Sequence, residues 1–228
     1  VPLTVHFGEE ELVDGVTIDK KTFYERLVES DVLPSTSQAT PEAFMREFEK
    51  AKQAGEQAVV ITVASKLSGT YQSAVLAARE YEHIHIVDSS TVAIGSSILV
   101  ELACKLLDEG MNAKEIAQNL EEEKKKIVIV ALVDTLEYLK KGGRISKTVA
   151  MVGGVLNIKP VLSIIDGEIN MLGKARGSKM GNNLLIQEIE KALLFCPDYN
   201  ICSAGPLNMP IAGANPTKAE VTDWLKAS

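Results

Sequence analysis

The sequence has little that would indicate a secreted, membrane-spanning or nucleic-acid-binding protein. It contains only 3 cysteines, and this odd number favours free thiols in a reducing compartment, so we expect a cytoplasmic protein. No apolar run approaches the roughly 18 residues that cross a bilayer, so no stable membrane insertion is expected. The net charge is −7, with 31 acidic against 24 basic residues, which argues against binding to nucleic acid.

Catalytic motifs are also scarce. The sequence has no Gly-x-Ser-x-Gly elbow, no Gly-x-Gly-x-x-Gly loop and no phosphate-loop lysine motif, and no histidine stands in a recognisable position as a base. His83 and His85 alternate along a strand-like run, but no further metal ligands are evident near them. Cys104 lies among leucines on a helical pattern, which is typical of a small core residue. We therefore expect no catalytic residue, no metal and no cofactor.

What the sequence does contain is a regular alternation of strands and helices. Strand-like residues 58–63 precede a helical pattern over residues 71–80, and residues 83–87 form the next strand-like run. This alternation predicts parallel βαβ units. After residue 125 the pattern changes to a hairpin around Asp166-Gly167 and then a helix over residues 179–194. We therefore predict an α/β fold with two domains, residues 1–125 around a parallel sheet and residues 126–228 as an α+β domain.

The strongest local signal is Ser68-Gly69-Thr70, which lies between the first of these strands and its helix. Such a turn presents hydroxyls and the free N–H groups of a helix start at one point, which suits a small anion. Gly69 strengthens this interpretation because a residue without a Cβ permits close approach of a ligand. The alternative is an ordinary helix cap, where serine and threonine are common. The turn has no general base and no metal ligand, so it favours binding over reaction.

Two further polar segments accompany this turn. Ser35-Thr36-Ser37 places three hydroxyls in a row before Gln38, and the alternative interpretation is a simple serine/threonine turn. Asp88-Ser89 follows the next strand, where the aspartate is suited to orient hydroxyls or a cation, with an Asx-type cap as the alternative. Because ligands gather at the carboxyl ends of parallel strands, we expect the turns at Ser68 and Asp88 to lie at the same edge of the sheet.

A basic site candidate lies in the second half of the chain. Arg144 follows two glycines, and its guanidinium is suited to neutralise a carboxylate or phosphate. The alternative is an ordinary surface arginine. Lys140 and Lys141 beside it form a short basic patch that is suited to meet an acidic partner.

Several segments, taken together, follow the order of one family pattern. They are Val1 to Val5, Asp14-Gly15, Pro34 to Gln38, Ser65 to Ala74, Asp88-Ser89, Leu136 to Leu139, Gly142 to Ser146 and Leu156 to Pro160. In this order they resemble the DegV family, whose members that act as subunits of fatty acid kinase are called FakB. The segments cover nearly the whole chain, and the set is specific although no single segment is.

The resemblance implies a two-domain protein with an N-terminal parallel α/β/α sheet and a mixed sheet in the C-terminal domain. Such a protein encloses one long-chain fatty acid, such as palmitate, stearate or oleate, in a tunnel between the domains. Thr36 and Ser68, with Gly69, match the family's carboxylate-binding positions. The supporting head-group region is Ser35, Ser37, Thr70, Asp88, Ser89 and Arg144. The implied protein is not itself an enzyme, and it presents the acid to a separate ATP-dependent fatty acid kinase, which makes acyl phosphate for phospholipid synthesis.

The chain also departs from the family pattern. The family begins with a further strand and ends with a further segment near the head group, so we expect both to be missing from the sequence as given. Two other functions remain open. One is an enzyme that acts on a small keto or phosphorylated substrate, by analogy with dihydroxyacetone-kinase-like folds, and the other is a regulatory protein with a structural lipid.

Overall fold

A computed structural model of the chain describes residues 1–145 and 158–195, with side chains described up to residue 191. These residues divide into two compact units. The first consists of Val1–Ser90 with Ile98–Lys125, and the second consists of Thr91–Ser97 with the residues from Lys126 onwards. The division at residue 125 into a head-group domain and a domain that closes over an acyl chain remains a prediction.

The first unit begins with a small antiparallel sheet. Its strands are β1 (Thr4–Phe7), β2 (Glu10–Val13) and β3 (Ser35–Ser37), in the order β2-β1-β3. The sequence left a serine/threonine turn open as an interpretation of Ser35 to Ser37, but these residues form strand β3. Pairing with β1 satisfies the backbone N–H and C=O groups of the strand. One face of β1 joins a small core with the residues before and within α1 (Lys20–Glu29).

The predicted βαβ unit follows in the same compact unit. Its strands β4 (Ala58–Thr62) and β5 (Ile84–Asp88) are parallel. Both α3 (Thr70–Ala78) and α5 (Ala113–Glu123) pack against these two strands, and α2 (Pro41–Ala54) packs against α3. The core between the helices and strands is built around Phe44, Phe48, Ala74, Tyr81 and Ile84. Because β4 and β5 run in the same direction, the residues that follow them emerge at one edge, as predicted.

The second unit contains an antiparallel sheet with a helix on it. Strands β6 (Ile129–Leu132), β7 (Ile158–Ile165) and β8 (Glu168–Arg176) pair in that order, and the helix α7 (Gly177–Phe195) packs against all three. The short α6 (Glu137–Lys141) follows β6. The predicted hairpin is confirmed, and its turn residues Asp166 and Gly167 have φ of 50° and 74°, the two positive angles of the type I′ turn that joins twisted strands.

One expectation about a single residue is wrong. Cys104 is exposed on α4 (Ile94–Asp108), a helix that contributes to both units, although its sequence context indicated a core position. The reason is its place on the helix: Val100 and Leu107 lie on the same face at i−4 and i+3 and are also exposed, at 48% and 62%. Cys196 and Cys202 lie outside the described residues.

In the part of the chain that the structure describes, no helix is both long enough and apolar enough to cross a membrane. Nor do three or more histidine, cysteine, aspartate or glutamate side chains come together there in a group that could hold a metal ion.

Candidate functional site

The Ser68 turn is held together by its own hydroxyls and backbone. The Oγ of Ser68 lies 2.9 Å from the Oγ1 of Thr70 and accepts a hydrogen bond of 3.3 Å from the Thr70 N–H. The N–H groups of Leu67 and Ser68 both donate to the carbonyl of Ala64, at 2.9 and 3.2 Å. Gly69 is the residue at the start of α3, and no side chain there caps the helix. Both hydroxyls therefore lie at the start of α3, where Ser68 accepts from the Thr70 N–H without acting as the helix cap that was the alternative interpretation.

Asp88 ties this turn to the next one. Its Oδ1 accepts hydrogen bonds from the N–H of Ser65 at 3.1 Å and from the N–H of Ser90 at 2.9 Å. The N–H of Ser89 donates to the carbonyl of Thr62 at 3.1 Å, and Ser89 is fully buried. The two turns thus converge at one sheet edge. The bond to Ser90 is that of the Asx-type turn considered as an alternative, and a contact of Asp88 or Ser89 with a ligand remains a prediction.

Charged groups of both signs lie around this edge. Burial, together with the negative charges of Asp88 and Glu121, raises the pKa of Tyr71, the second residue of α3. The Nζ of Lys124 donates to the carbonyl of Asp88 at 2.8 Å and forms an ion pair with Glu121 at 2.7 Å. The Lys124 side chain is only 13% exposed, so its charge is well placed to counter the acidic groups beside the turn.

Strand β3 separates the hydroxyls of Ser35-Thr36-Ser37 onto two faces. Thr36 pairs with the buried Val5 of β1, so its side chain leaves the sheet on the same face as Val5. Ser35 and Ser37 leave on the opposite face. All three residues are exposed. A ligand bound on the face of Thr36 would therefore not meet the hydroxyls of Ser35 and Ser37 directly. The role of those two residues as head-group support remains a prediction.

Ser37 has a histidine as its neighbour, which the sequence did not indicate. The Nε2 of His6 lies 2.8 Å from the Oγ of Ser37, and the Nδ1 of His6 lies 3.8 Å from a carboxylate oxygen of Glu11. These are the residue types of a serine hydrolase triad. However, Ser37 is exposed, and the Glu11 side chain is 73% exposed and beyond hydrogen-bond distance. The geometry therefore favours a contact between strands β1 and β3 over an activated nucleophile.

Gln38 links the two hydroxyl-bearing segments. It follows β3 directly, and its Nε2 donates to the Oγ of Ser73 in α3 at 2.9 Å. A Cβ built on Gly69 would overlap the Oε1 of Gln38 and would lie 2.7 Å from its Cδ. The amide of Gln38 therefore occupies the space that the missing side chain of Gly69 leaves open. The segment that carries Thr36 is thus in contact with the helix start beside Ser68.

Arg144 belongs to the second unit, where it follows α6. Its side chain donates to the carbonyl of Gly142, and its backbone N–H donates to the carbonyl of Leu139 at 3.0 Å. In the same segment, a hydrogen bond from Lys141 lowers the pKa of Glu137. Arg144 is exposed, in line with the surface role that was its alternative interpretation, and its contact with a head group or a partner remains a prediction.

A family model described as "Uncharacterised protein, DegV family COG1307" matches residues 1–196. The chain belongs to the DegV family. A DegV domain-containing protein of Caldanaerobacter subterraneus subsp. tengcongensis is 39% identical over 181 residues, which are 78% of this chain and 64% of that relative. The chain therefore spans slightly less than two thirds of the length of this DegV relative.

Solved structures of lipid-bound proteins share the fold. A stearic acid-binding protein from Eubacterium ventriosum is 30% identical with a TM-score of 0.79, over 88% of this chain and 71% of that one. The fatty acid kinase B3 protein of Streptococcus pneumoniae, solved with linoleic acid, is 28% identical with a TM-score of 0.74, over 84% and 69%. These likenesses confirm the predicted α/β fold class, and the described strands of this chain form a parallel sheet and antiparallel sheets.

The structure brings most, but not all, of the predicted site residues into one unit. Ser68, Thr70 and Asp88 share a hydrogen-bonded edge, Thr36 is tied to it through Gln38, and Arg144 lies in the other unit. Gln38 and His6 were missed. The place of Gln38 in the family segment Pro34 to Gln38 was a signal that could have found it, whereas no local pattern indicates a contact between His6 and Ser37.

Proposed function

We propose that this DegV protein binds one long-chain fatty acid and holds its carboxylate with the hydroxyls of Thr36 and Ser68. The observation that carries the proposal is the contact of Gln38 with α3, which joins the two hydroxyl segments within one compact unit. It is supported by solved neighbours that are described as binding stearic acid or as loaded with linoleic acid. The apolar tunnel for the acyl chain remains a prediction.

The chemistry of the segments suits a carboxylate. A carboxylate that leaves water needs several donors, and bonds to a charged acceptor are the stronger ones. Two hydroxyls supply such donors, and the positive end of the α3 dipole favours an anion beside them. The acyl chain would contribute about 0.8 kcal/mol per buried methylene. The head-group residues thus decide orientation and the preference for an acid, while the chain supplies most of the affinity.

We further propose that the protein is a non-catalytic subunit that presents the acid to a separate ATP-dependent kinase. The turn from Ser65 to Thr70 contains no histidine, cysteine or carboxylate, so it is suited to hold a head group without reacting on it. The likeness to a protein described as fatty acid kinase B3 supports this role. The product would be an acyl phosphate for phospholipid synthesis.

The first experiment identifies the ligand. The protein is purified without denaturation and extracted with organic solvent, and the extract is analysed by mass spectrometry. We expect about one equivalent of a long-chain fatty acid per chain. A folded protein that yields no lipid and takes up neither added oleate nor added palmitate would contradict the proposal, and a small keto or phosphorylated substrate would then be the class to test.

The second experiment tests the head-group residues. Replacing both hydroxyls, Thr36→Ala with Ser68→Ala, should weaken oleate binding by at least about 100-fold, because each hydrogen bond to a charged group is worth about 1.5–3 kcal/mol. The matched control replaces two exposed helical hydroxyls, Thr22→Ala with Ser178→Ala, and should leave the affinity unchanged. Equal affinities of the two double variants would show that the carboxylate is held elsewhere.

The third experiment tests presentation. The loaded protein is mixed with ATP and the catalytic subunit of a bacterial fatty acid kinase, and acyl phosphate is trapped with hydroxylamine as the hydroxamate. We expect hydroxamate only when both proteins are present. Formation by this chain alone would make it an enzyme, and no formation with several such kinases would favour a regulatory protein with a structural lipid.

A further inference from the structure

Gln38 brings the two hydroxyl segments into contact without either hydroxyl taking part. The amide of Gln38 lies against the Cα of Gly69, where a Cβ would come within 2.7 Å of Cδ and 3.0 Å of Nε2. The same Nε2 donates to the Oγ of Ser73, which is 3% exposed. Ser73 lies one turn after Gly69, and its N–H bonds to the Gly69 carbonyl at 3.0 Å. The amide therefore covers one face of the first turn of α3.

We propose that Gln38 is a positioning residue, which sets the place of Thr36 relative to Ser68, and that residue 69 is a glycine in order to admit the Gln38 amide. This inference rests on the proposed binding of a carboxylate by Thr36 and Ser68. It also gives a different reason for the glycine at position 69, which the sequence analysis explained by close approach of a ligand. The backbone of Gly69, with φ of −72° and ψ of 2°, is open to any residue, so backbone strain does not require glycine, and the Gln38 amide is the group that an added Cβ would displace.

The arrangement along the chain explains why this contact acts on both hydroxyls. Gln38 is two residues after Thr36, and Gly69 is adjacent to Ser68. Strand β3 is an edge strand, paired with β1, and its end nearest the helix is fixed by Gln38. A fixed spacing between two donors lowers the ordering cost when a carboxylate binds, because less freedom remains to be lost. Loss of the contact should therefore weaken the recognition of the head group.

The test is a double-mutant cycle on oleate affinity with Gly69→Ala and Gln38→Ala. Each substitution alone should weaken binding about tenfold, because each one displaces or removes the amide. The double variant should also be about tenfold weaker than the unchanged protein, because a Cβ at position 69 has nothing left to displace once the amide is gone. A double variant weakened about 100-fold, the product of the single effects, would overturn the proposal, since Gly69 would then serve the ligand directly.

A second readout separates positioning from general structure. The ratio of affinities for oleic acid and oleyl alcohol reports on head-group recognition, whereas a loss of fold affects both ligands alike. Gln38→Ala should reduce this ratio about tenfold, while Gln72→Ala, which removes an exposed glutamine from the same helix, should leave it unchanged. An unchanged ratio in Gln38→Ala would reject a positioning role.

A third readout does not depend on lipid binding. Gly69→Ala should lower the urea midpoint of unfolding, and adding Gln38→Ala should restore most of that loss. If the unchanged protein binds no fatty acid, the proposed function fails while this restoration still tests the contact. If the protein binds oleate and no restoration occurs, the packing of Gln38 on Gly69 is wrong and the proposed function stands.

Discussion

The two segments that carry the proposed carboxylate ligands are held in different ways. The turn from Ser65 to Thr70 is fixed mainly by bonds to its own backbone and hydroxyls and to Asp88, at the end of the neighbouring strand. Strand β3 is a three-residue edge strand. It and the Gln38 that follows it are held by contacts with distant parts of the chain, from Ser37 to His6 and from Gln38 to Ser73.

We expect the turn to matter more for the stability of the fold, and the contacts of β3 and Gln38 to matter more for ligand binding. The turn belongs to the βαβ unit, so its bonds contribute to the folding of the whole unit, and removing one of them should lower the free energy of unfolding. The contacts of β3 and Gln38 are exposed or partly buried, so removing one of them should cost less stability than removing a bond of the turn. It should nevertheless disturb binding, because it releases the strand that carries Thr36.

The largest effect is expected on the side of the turn. Asp88→Ala removes the acceptor of the Ser65 and Ser90 N–H groups, and should lower the free energy of unfolding by about 3 kcal/mol, because an unsatisfied polar group costs about 1–3 kcal/mol. Urea denaturation measures this difference. Asp88→Asn keeps the side-chain oxygen and should lose less than half as much. Equal losses in the two variants would mean that the charge, and not the turn, is what matters.

The second effect compares two helix caps. Thr40 caps α2 two residues after Gln38 and accepts from the Ala43 N–H at 3.3 Å, and Asn112 caps α5 and accepts from the Glu115 N–H at 3.1 Å. Replacing either residue by alanine should lower the free energy of unfolding by about 1 kcal/mol. Only Thr40→Ala should also weaken oleate binding, since it loosens the segment between β3 and α2. Equal affinities in the two variants would remove the proposed link between β3 and recognition.

Features set by neighbouring residues were predictable from the sequence. The Ser68 turn follows from a strand, a turn and a helix that are contiguous in the chain, and the hairpin at Asp166-Gly167 follows from its turn residues. The fold as a whole followed from the family resemblance. For the turn and the hairpin, the pattern that decides the structure lies within a few residues of the feature itself.

Features set by distant residues were not predictable in this way. The pairing of β3 with β1, the contact between His6 and Ser37 and the packing of Gln38 on Gly69 join positions about 30 residues apart in the chain. Hydrophobic periodicity carries no information about such contacts. The exposure of Cys104 has a similar cause. A helix with apolar residues on more than one side has a buried face, but the sequence of α4 does not show which side is buried.

A smaller effect is expected where His6 meets Ser37. His6→Ala and Ser37→Ala should each lower the free energy of unfolding by about 0.5 kcal/mol, because hydrogen bonds between exposed groups contribute little. The double variant should lose no more than either single variant if the contact at 2.8 Å is the cause. Additive losses in urea denaturation would show that each residue acts through other neighbours.

The smallest effect concerns acid. The hydrogen bond from Arg26 lowers the pKa of Glu10, on strand β2 of the sheet that contains β3, and the Arg26 guanidinium also lies 4.3 Å from the centre of the Phe7 ring. A carboxyl group whose pKa is lower in the folded than in the unfolded protein stabilises the fold. This stabilisation is complete above the ordinary pKa of 4.5 and is lost as the pH falls through the lowered pKa. The unchanged protein should therefore lose protection of the β1 and β2 amides against hydrogen exchange in this acid range.

Glu10→Gln should show less of that loss, with Glu9→Gln as the control that removes the same charge one residue away. If Glu10→Gln loses protection with pH as steeply as the unchanged protein, the Arg26 pair does not hold this sheet to α1.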